Sequence, residues 1–192
     1  IVNRRSIYGL SNESPVSDKE IKDIIDLAVL NVPSAFNSQS ARIVLLQGEH
    51  HQKLWQITKD ILKVDKTDEQ FAGTEQKINT CFAAGYGTIL FYEDWRVVEN
   101  LQKSFPSYKD KFPEWAQHTS AMHQFAIWTM LEEAGLGASL QHYNPLIDQA
   151  VAEEWNISLH WKLIAQMPFG KPTAQAGEKE FQPLEERIKV FK

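Results

Sequence analysis

Gly85-Tyr86-Gly87-Thr88-Ile89-Leu90-Phe91-Tyr92-Glu93-Asp94 is the stretch from which the fold is read. Its glycines break a helical pattern over residues 68–84, in which Phe71, Ile78 and Phe82 fall roughly on one face. Residues 88–92 then read as a strand, and after Asp94 a helix carrying Val97, Val98 and Leu101 leads to Phe105-Pro106. Upstream, Ser17-Asp18-Lys19-Glu20 is a capping box. It opens a helix with Ile21, Ile24, Ile25 and Ala28 at helical spacing, and that helix ends before Val32-Pro33. Ile43-Val44-Leu45-Leu46 is a buried strand ended by Gly48, and Leu54, Trp55, Thr58, Ile61 and Leu62 make a second amphipathic helix.

Downstream, residues 115–134 are the longest helical candidate, with Met122, Phe125, Ala126 and Thr129 or Met130 on one stripe and Gly135 or Gly137 as the stop. Residues 138–141 are a short strand. Residues 147–155 are a short helix, capped by Asn144 with Pro145 at its first position. Leu163-Ile164-Ala165-Gln166-Met167 is a strand stopped by Pro168, and Arg187-Ile188-Lys189-Val190-Phe191 alternates as a terminal strand. Helices and four or five strands mix without strict βαβ alternation, so the fold class is α+β, in one domain over residues 1–192.

A chain of 192 residues with 43% hydrophobic and 23% charged side chains buries its own core. A net charge of -5 argues against nucleic acid as a partner. No apolar run reaches the length of a membrane span and no secretory leader is read, so no membrane partner is expected. The lone Cys81 forms no internal disulfide, which suits a reducing cytoplasm.

Several chemistries lack their residues. The chain has no P-loop, and Gly135-Leu136-Gly137 lacks the third glycine of a dinucleotide fingerprint. Ser34 sits in no nucleophile elbow and Cys81 in no protease signature. His118 and His123 are wrongly spaced to share a metal on one helical face. His50-His51 and His160 read as ordinary surface residues, so no metal site is expected. Two segments remain. Arg4-Arg5-Ser6 offers two cations and a hydroxyl to a phosphate. Pro33-Ser34-Ala35-Phe36-Asn37-Ser38-Gln39 offers amides to the edge of a flat heterocycle. Taken singly, a solvated basic N-terminus and an Asx-type turn explain them equally well.

Together with Ala84-Gly85-Tyr86-Gly87-Thr88, Gly137-Ala138-Ser139-Leu140-Gln141-His142-Tyr143-Asn144-Pro145, Gln166-Met167-Pro168-Phe169-Gly170 and residues 177–187, these segments resemble the nitroreductase family. The likeness is strongest to its short subgroup, typified by fatty-acid-repression-mutant-like and copper-induced nitroreductases. The resemblance implies a central, mostly antiparallel sheet flanked by helices, with a C-terminal strand exchanged in a homodimer. It also implies FMN at the subunit interface and ping-pong hydride transfer from NADH or NADPH to a small electron-poor acceptor such as a nitroaromatic or a quinone.

Residue by residue, the resemblance puts Arg4, Arg5 and Ser6 on the FMN phosphate and ribityl chain. Pro33, Ser34, Ala35, Asn37 and Gln39 approach the flavin from the other subunit. Ser139, Leu140 and Gln141 lie by the ring, with backbone N–H groups toward N5, and Lys179 closes on the phosphate. Two positions depart from the family pattern. Tyr8 stands where many relatives place a cation near flavin N1 and O2, and Phe181 stands where many carry a second late cation. No side chain is assigned as catalytic. The proline-punctuated aromatic stretch over residues 105–115 is either a roof over the site or a packed surface loop. Two rival functions share parts of this pattern: a flavin-binding stress-response regulator with little turnover, and an interaction domain without cofactor.

Overall fold

Every one of the eight residues of the strand Gly87–Asp94 is buried, which makes it the axis of the molecule. The structure, a computed structural model, describes residues 1–192. Its strands are β1 (Leu10–Ser11), β2 (Ala41–Gln47), β3 (Gly87–Asp94), β4 (Gly137–Ala138) and β5 (Trp161–Pro172). The sheet order is β1-β5-β3-β2, with β4 also beside β5 and every strand pair antiparallel. The helices are α1 (Asp18–Asn31), α2 (Gly48–Lys63), α3 (Asp68–Cys81), α4 (Trp95–Ser104), α5 (Phe112–Glu133) and α6 (Asp148–Glu154). This is the α+β class expected.

Side chains alternate across β3 and divide the core in two. Ile89 and Phe91 join Ala165, Met167 and Phe169 of β5 beneath α1 and α5, against Ile21, Ile25, Ile127 and Leu131. Leu90 and Tyr92 face the other way, onto Leu54 and Trp55 of α2, Ile78 of α3 and Val151 of α6. Leu163 belongs to this second face although Ala165 belongs to the first. The register shift between Phe91 and Tyr92 makes Ile164 an extra residue in β5, and the bulge turns Leu163 over.

The capping box of α1 is in place. Ser17 Oγ accepts from the Glu20 backbone N–H at 3.3 Å, and Glu20 Oε2 accepts from the Ser17 N–H at 2.9 Å. Four expectations are corrected. Pro168 does not stop β5, which runs on to Pro172. Its carbonyl accepts from Ser139 N–H, so its missing donor falls on the side of the short strand β4, where one lost hydrogen bond is tolerated. Asn144 does not cap α6, which starts at Asp148 with no side-chain cap; Asn144 Oδ1 instead accepts from Gln166 Nε2 at 3.2 Å. Gly48 ends β2 as expected and opens α2 directly. Residues 187–191 form no strand in the single chain, where they lie exposed behind a short 3-10 turn at Leu184–Glu186.

The fourth correction concerns α5. Its buried stripe is Phe112, Ala116, Thr119, Ser120, His123, Gln124, Ile127 and Leu131, while Met122 and Phe125 stand exposed. Polar groups can be buried on this face because the helix satisfies them itself. His123 Nδ1–H donates to the Thr119 carbonyl at 2.9 Å, and Gln124 Nε2 donates to Ser120 Oγ at 3.0 Å. No helix is long and apolar enough to cross a membrane.

Candidate functional site

The N-terminal segment reaches the sheet beside β4. Ser6 bridges Ala138, and the Ile7 N–H donates to the Ala138 carbonyl at 2.9 Å. Glycine is needed at 137 for this approach, since a Cβ there would lie 2.9 Å from Ile7 Cβ. The chain returns to the same place after β5. Thr173 N–H donates to Gly9 O at 2.9 Å, and Arg5 Nη2 donates to Gly177 O at 2.8 Å. Between the two segments lies an open cavity of about 650 Å³ lined by Arg4, Arg5, Ser6, Tyr8, Gly177 and Lys179, with Glu178 also on its wall.

Arg4 is held against α5, its guanidinium carbon 4.4 Å from the centroid of the Trp128 ring. Its Nε is buried without an acceptor, and none of Arg4, Arg5 and Lys179 enters an ion pair. An orphaned guanidinium donor among three cations and a serine hydroxyl fits a phosphate ester, which brings acceptor oxygens and about two negative charges.

Ser139, Leu140 and Gln141 leave β4 where Ser6 bridges the sheet, so they continue from the edge of this cavity. The Ser139 and Gln141 N–H groups are spent on Pro168 and Gln166 carbonyls at 3.2 and 2.7 Å. The Leu140 N–H, between them, donates to no backbone carbonyl. Ser139 is fully buried, its Oγ accepting from Gln141 Nε2 at 3.0 Å.

The segment with Pro33, Ser34, Ala35, Asn37 and Gln39 lies elsewhere. It forms a 3-10 turn, Ala35–Asn37, with Phe36, Asn37 and Gln39 in the left-handed region at φ 57°, 51° and 48°. Ser34 Oγ accepts from the Gln39 N–H at 3.0 Å, and Arg42 Nη1 donates to the Gln39 carbonyl at 2.8 Å. Asn37 and Gln39 are exposed, their amides facing outward. Phe36 plugs the aromatic stretch that follows α4. Its ring centroid is 4.8 Å from that of Phe105, 5.4 Å from Phe112 and 6.0 Å, stacked, from Trp115.

Phe36 therefore meets α5 at Trp115, whereas Arg4 meets it at Trp128. Those positions are separated by ~20 Å along the helix axis at 1.5 Å per residue. Within one chain the two halves of the expected site do not meet.

Two buried titratable groups escaped the sequence reading. His51 is not a surface residue: it is fully buried, with Nδ1 2.9 Å from Thr88 Oγ1 and Nε2 3.2 Å from the Ala83 carbonyl. Burial pushes its pKa down from 6.5 to about 4, against the pull of the Ala83 hydrogen bond. The second is Glu93, on the Ile89 and Phe91 face of β3, with Oε2 accepting from Ser40 Oγ at 2.5 Å and Oε1 unpartnered. Burial raises its pKa from 4.5 to about 7, opposed by the Ser40 hydrogen bond and the Arg42 charge. Beside it Asp94 caps α4 and pairs with Arg42 and Arg96 at 3.2 and 3.0 Å. Burial alone would raise this carboxyl, but the Arg96 hydrogen bonds and the Arg42 charge outweigh it and hold it low.

The family model described as "Nitroreductase family" matches residues 1–171. Nitroreductase FRM2 of Saccharomyces cerevisiae is 35% identical over 183 residues, covering 94% of this chain and 90% of that protein. Nitroreductase CinD from Lactococcus lactis, solved in complex with chloramphenicol, superposes with a TM-score of 0.89 at 46% identity, covering 100% of this chain and 97% of that one. The same protein in complex with 4-nitrophenol gives a TM-score of 0.88 at 46% identity, with the same coverage. The chain belongs to the nitroreductase family and is an oxidoreductase enzyme of the nitroreductase type.

Proposed function

We infer that residues 1–192 act as one FMN-binding domain of an NAD(P)H-dependent oxidoreductase that reduces nitroaromatic, quinone or similar electron-poor acceptors. The observation that carries this reading is the division of the binding groups between the two ends of α5. A phosphate cradle sits at Trp128 and a loop with exposed amides sits at Trp115, ~20 Å away along the helix. A second copy of the chain running antiparallel along α5 would bring one copy's loop to the other's cradle. The exposed Met122 and Phe125 of α5 and the exposed apolar tail residues Phe181, Leu184, Ile188, Val190 and Phe191 supply the surface for that pairing.

In this reading Arg4, Arg5, Ser6 and Lys179 hold the phosphate. Tyr8 would donate a hydrogen bond beside the ring, and the Leu140 N–H would be the donor available to N5. Asn37 and Gln39 of the second copy pair with the ring edge, while Pro33, Ser34 and Ala35 shape their loop. FMN held there would supply hydride acceptance and donation, the chemistry that nicotinamide oxidation and acceptor reduction by ping-pong turnover require. The Phe36 cluster would close the slot over it to bulky molecules and to water. A cytoplasmic location belongs to the same proposal and rests on the free Cys81.

An absorbance spectrum of the purified protein with added FMN, followed by anaerobic titration with NADH and NADPH, tests the activity. A preparation that ignores FMN refutes the reading, and one that binds it but oxidises neither nicotinamide favours a sensor. Size-exclusion of the flavin-loaded protein tests the shared site, which a fully loaded monomer would sink.

A further inference from the structure

Glu93 and Asp94, the last two residues of β3, hold the loop of Asn37 and Gln39 from opposite faces of the sheet. On one face the Ser40 hydroxyl donates to Glu93 Oε2 at 2.5 Å. On the other, the Arg42 guanidinium reaches from the Asp94 carboxylate, at 3.2 Å, to the Gln39 carbonyl, at 2.8 Å. The Asp94 N–H donates to the Ser40 carbonyl at 2.8 Å and closes the clamp. The loop needs such a hold. Phe36, Asn37 and Gln39 all sit in the left-handed region, which side chains other than glycine keep only where their surroundings impose it. The two anchors differ in one respect. Asp94 is paired with Arg42 and Arg96, whereas Glu93 is fully buried with Ser40 as its single donor and Oε1 without a partner. A neutral acid in that setting leaves one uncharged oxygen unsatisfied. A carboxylate there leaves a charged oxygen dry, which costs far more.

We propose that Glu93 is a positioning residue for this loop: while neutral it lets the buried Ser40 hold the loop in place, and on ionising it draws water in beside Ser40, loosens the clamp and weakens the grip on the flavin ring. The inference rests on the reading that this loop meets FMN. Burial keeps the acid neutral up to about pH 7, so the change falls in the range where the enzyme would work. The charged and titratable groups on the elements packed around this end of β3 are few. Arg42 stands on β2, and Lys162 of β5 pairs in register with Glu93 but lies 3.8 Å from the Trp95 ring centroid. Arg96 of α4 is taken up by Asp94, and His123 on the buried face of α5 is bonded to the Thr119 carbonyl. Of these, the Arg42 charge alone acts on the Glu93 carboxyl.

The test follows the Glu93 carboxyl carbon and the Gln39 backbone N–H by NMR in the full chain, with and without FMN, from about pH 5.5 to about pH 8.5, a range centred on the Glu93 titration. Both signals should move with one midpoint. Over the same range the ratio of FMN dissociation constants, wild type over Glu93→Gln, should rise about tenfold, as expected when one hydrogen bond holding the loop is lost. Glutamine keeps an oxygen for Ser40 and carries no charge, and the ratio cancels the ionisation of the FMN phosphate, which both proteins share. Ser40→Ala removes the hydrogen bond that favours the charged form, so its Glu93 midpoint should lie at higher pH. Two results would overturn the inference: a Glu93 carbon that does not titrate in this range, or a Gln39 N–H that stays still while it does. A Gln39 signal that follows Glu93 beside a flat FMN ratio, or beside no FMN binding at all, keeps the clamp and strikes the flavin reading of the loop instead. Both NMR signals are read on the unmutated protein, so the decision stands even if a variant fails to fold.

Discussion

His51 and Glu93 titrate in opposite senses across the same pH window, and their effects on stability should nearly cancel. Burial holds His51 neutral in the folded chain down to about pH 4. The unfolded chain takes up that proton near 6.5, so stability is lost as pH falls from 6.5 toward 4. Glu93 is protonated in the folded chain from about pH 7 downward, whereas the unfolded chain needs 4.5. Stability from Glu93 is therefore gained as pH falls from 7 toward 4.5. Between pH 7 and pH 5 each linkage amounts to ~2 kcal/mol, His51 against the fold and Glu93 for it. Both side chains are fully buried, on opposite faces of the sheet, and Thr88, the partner of His51, lies ~17 Å along β3 from Glu93. The two effects should add independently. Urea denaturation at pH 7 and pH 5, at fixed FMN, measures them in three proteins. Relative to wild type, His51→Gln should gain ~2 kcal/mol on going from pH 7 to pH 5, and Glu93→Gln should lose ~2 kcal/mol. Asp94 and the exposed carboxylates are common to all three and drop out of the difference. If both single variants track the wild type across this interval, the buried-group reasoning is wrong.

Arg4→Ala with Arg5→Ala should weaken FMN binding by about 100-fold or more, from the loss of charge-assisted phosphate hydrogen bonds. Equilibrium fluorescence quenching of FMN reads this, and unchanged affinity would remove the phosphate assignment. Gly137→Ala forces its new methyl against Ile7 Cβ, so the N-terminal segment should lift from β4. Flavin retained through dialysis should fall much more than the urea midpoint. Thr88→Val leaves Trp55 Nε1 and His51 Nδ1 without the hydroxyl they share at 3.0 and 2.9 Å. Unfolding free energy at pH 7 should drop by about 2–4 kcal/mol, and a loss below about 0.5 kcal/mol would contradict that network.

What could be read from the sequence was the part governed by local rules. β2 and β3 are continuous apolar runs, and Ser17 with Glu20 announces α1 at its observed start. Misreadings arose where tertiary contacts override local preference. Pro168 reads as a terminator until β5 is seen to turn its missing donor toward a strand of two residues. Asn144 reads as a cap, but Gln166 takes its side chain. His51 has polar neighbours in sequence, and only the fold puts Thr88 and Ala83 around it. The grouping of Arg4, Arg5, Ser6 and Lys179 required the chain ends to meet across the edge of the sheet, which no periodicity encodes.

The inverted face of α5 ties these observations together. Ordinary amphipathicity would bury Met122 and Phe125 and expose Thr119, Ser120, His123 and Gln124. The structure does the reverse, and it satisfies the buried polar groups by bonds inside the helix rather than to the sheet. Burying four polar residues gains little, so the arrangement is explained by what it leaves outside. Met122 and Phe125 then lie free between Phe36 at one end of the helix and Arg4 at the other, with Arg4 already 6.0 Å from the Phe125 ring. An apolar stripe joining a cation cradle to an aromatic-backed amide loop suits an interface that a second copy completes. Met122→Lys should therefore lower both dimer content and FMN occupancy while leaving the far-UV circular dichroism of the chain intact. A variant that stays dimeric and fully loaded would show that the exposed stripe of α5 has no part in the pairing.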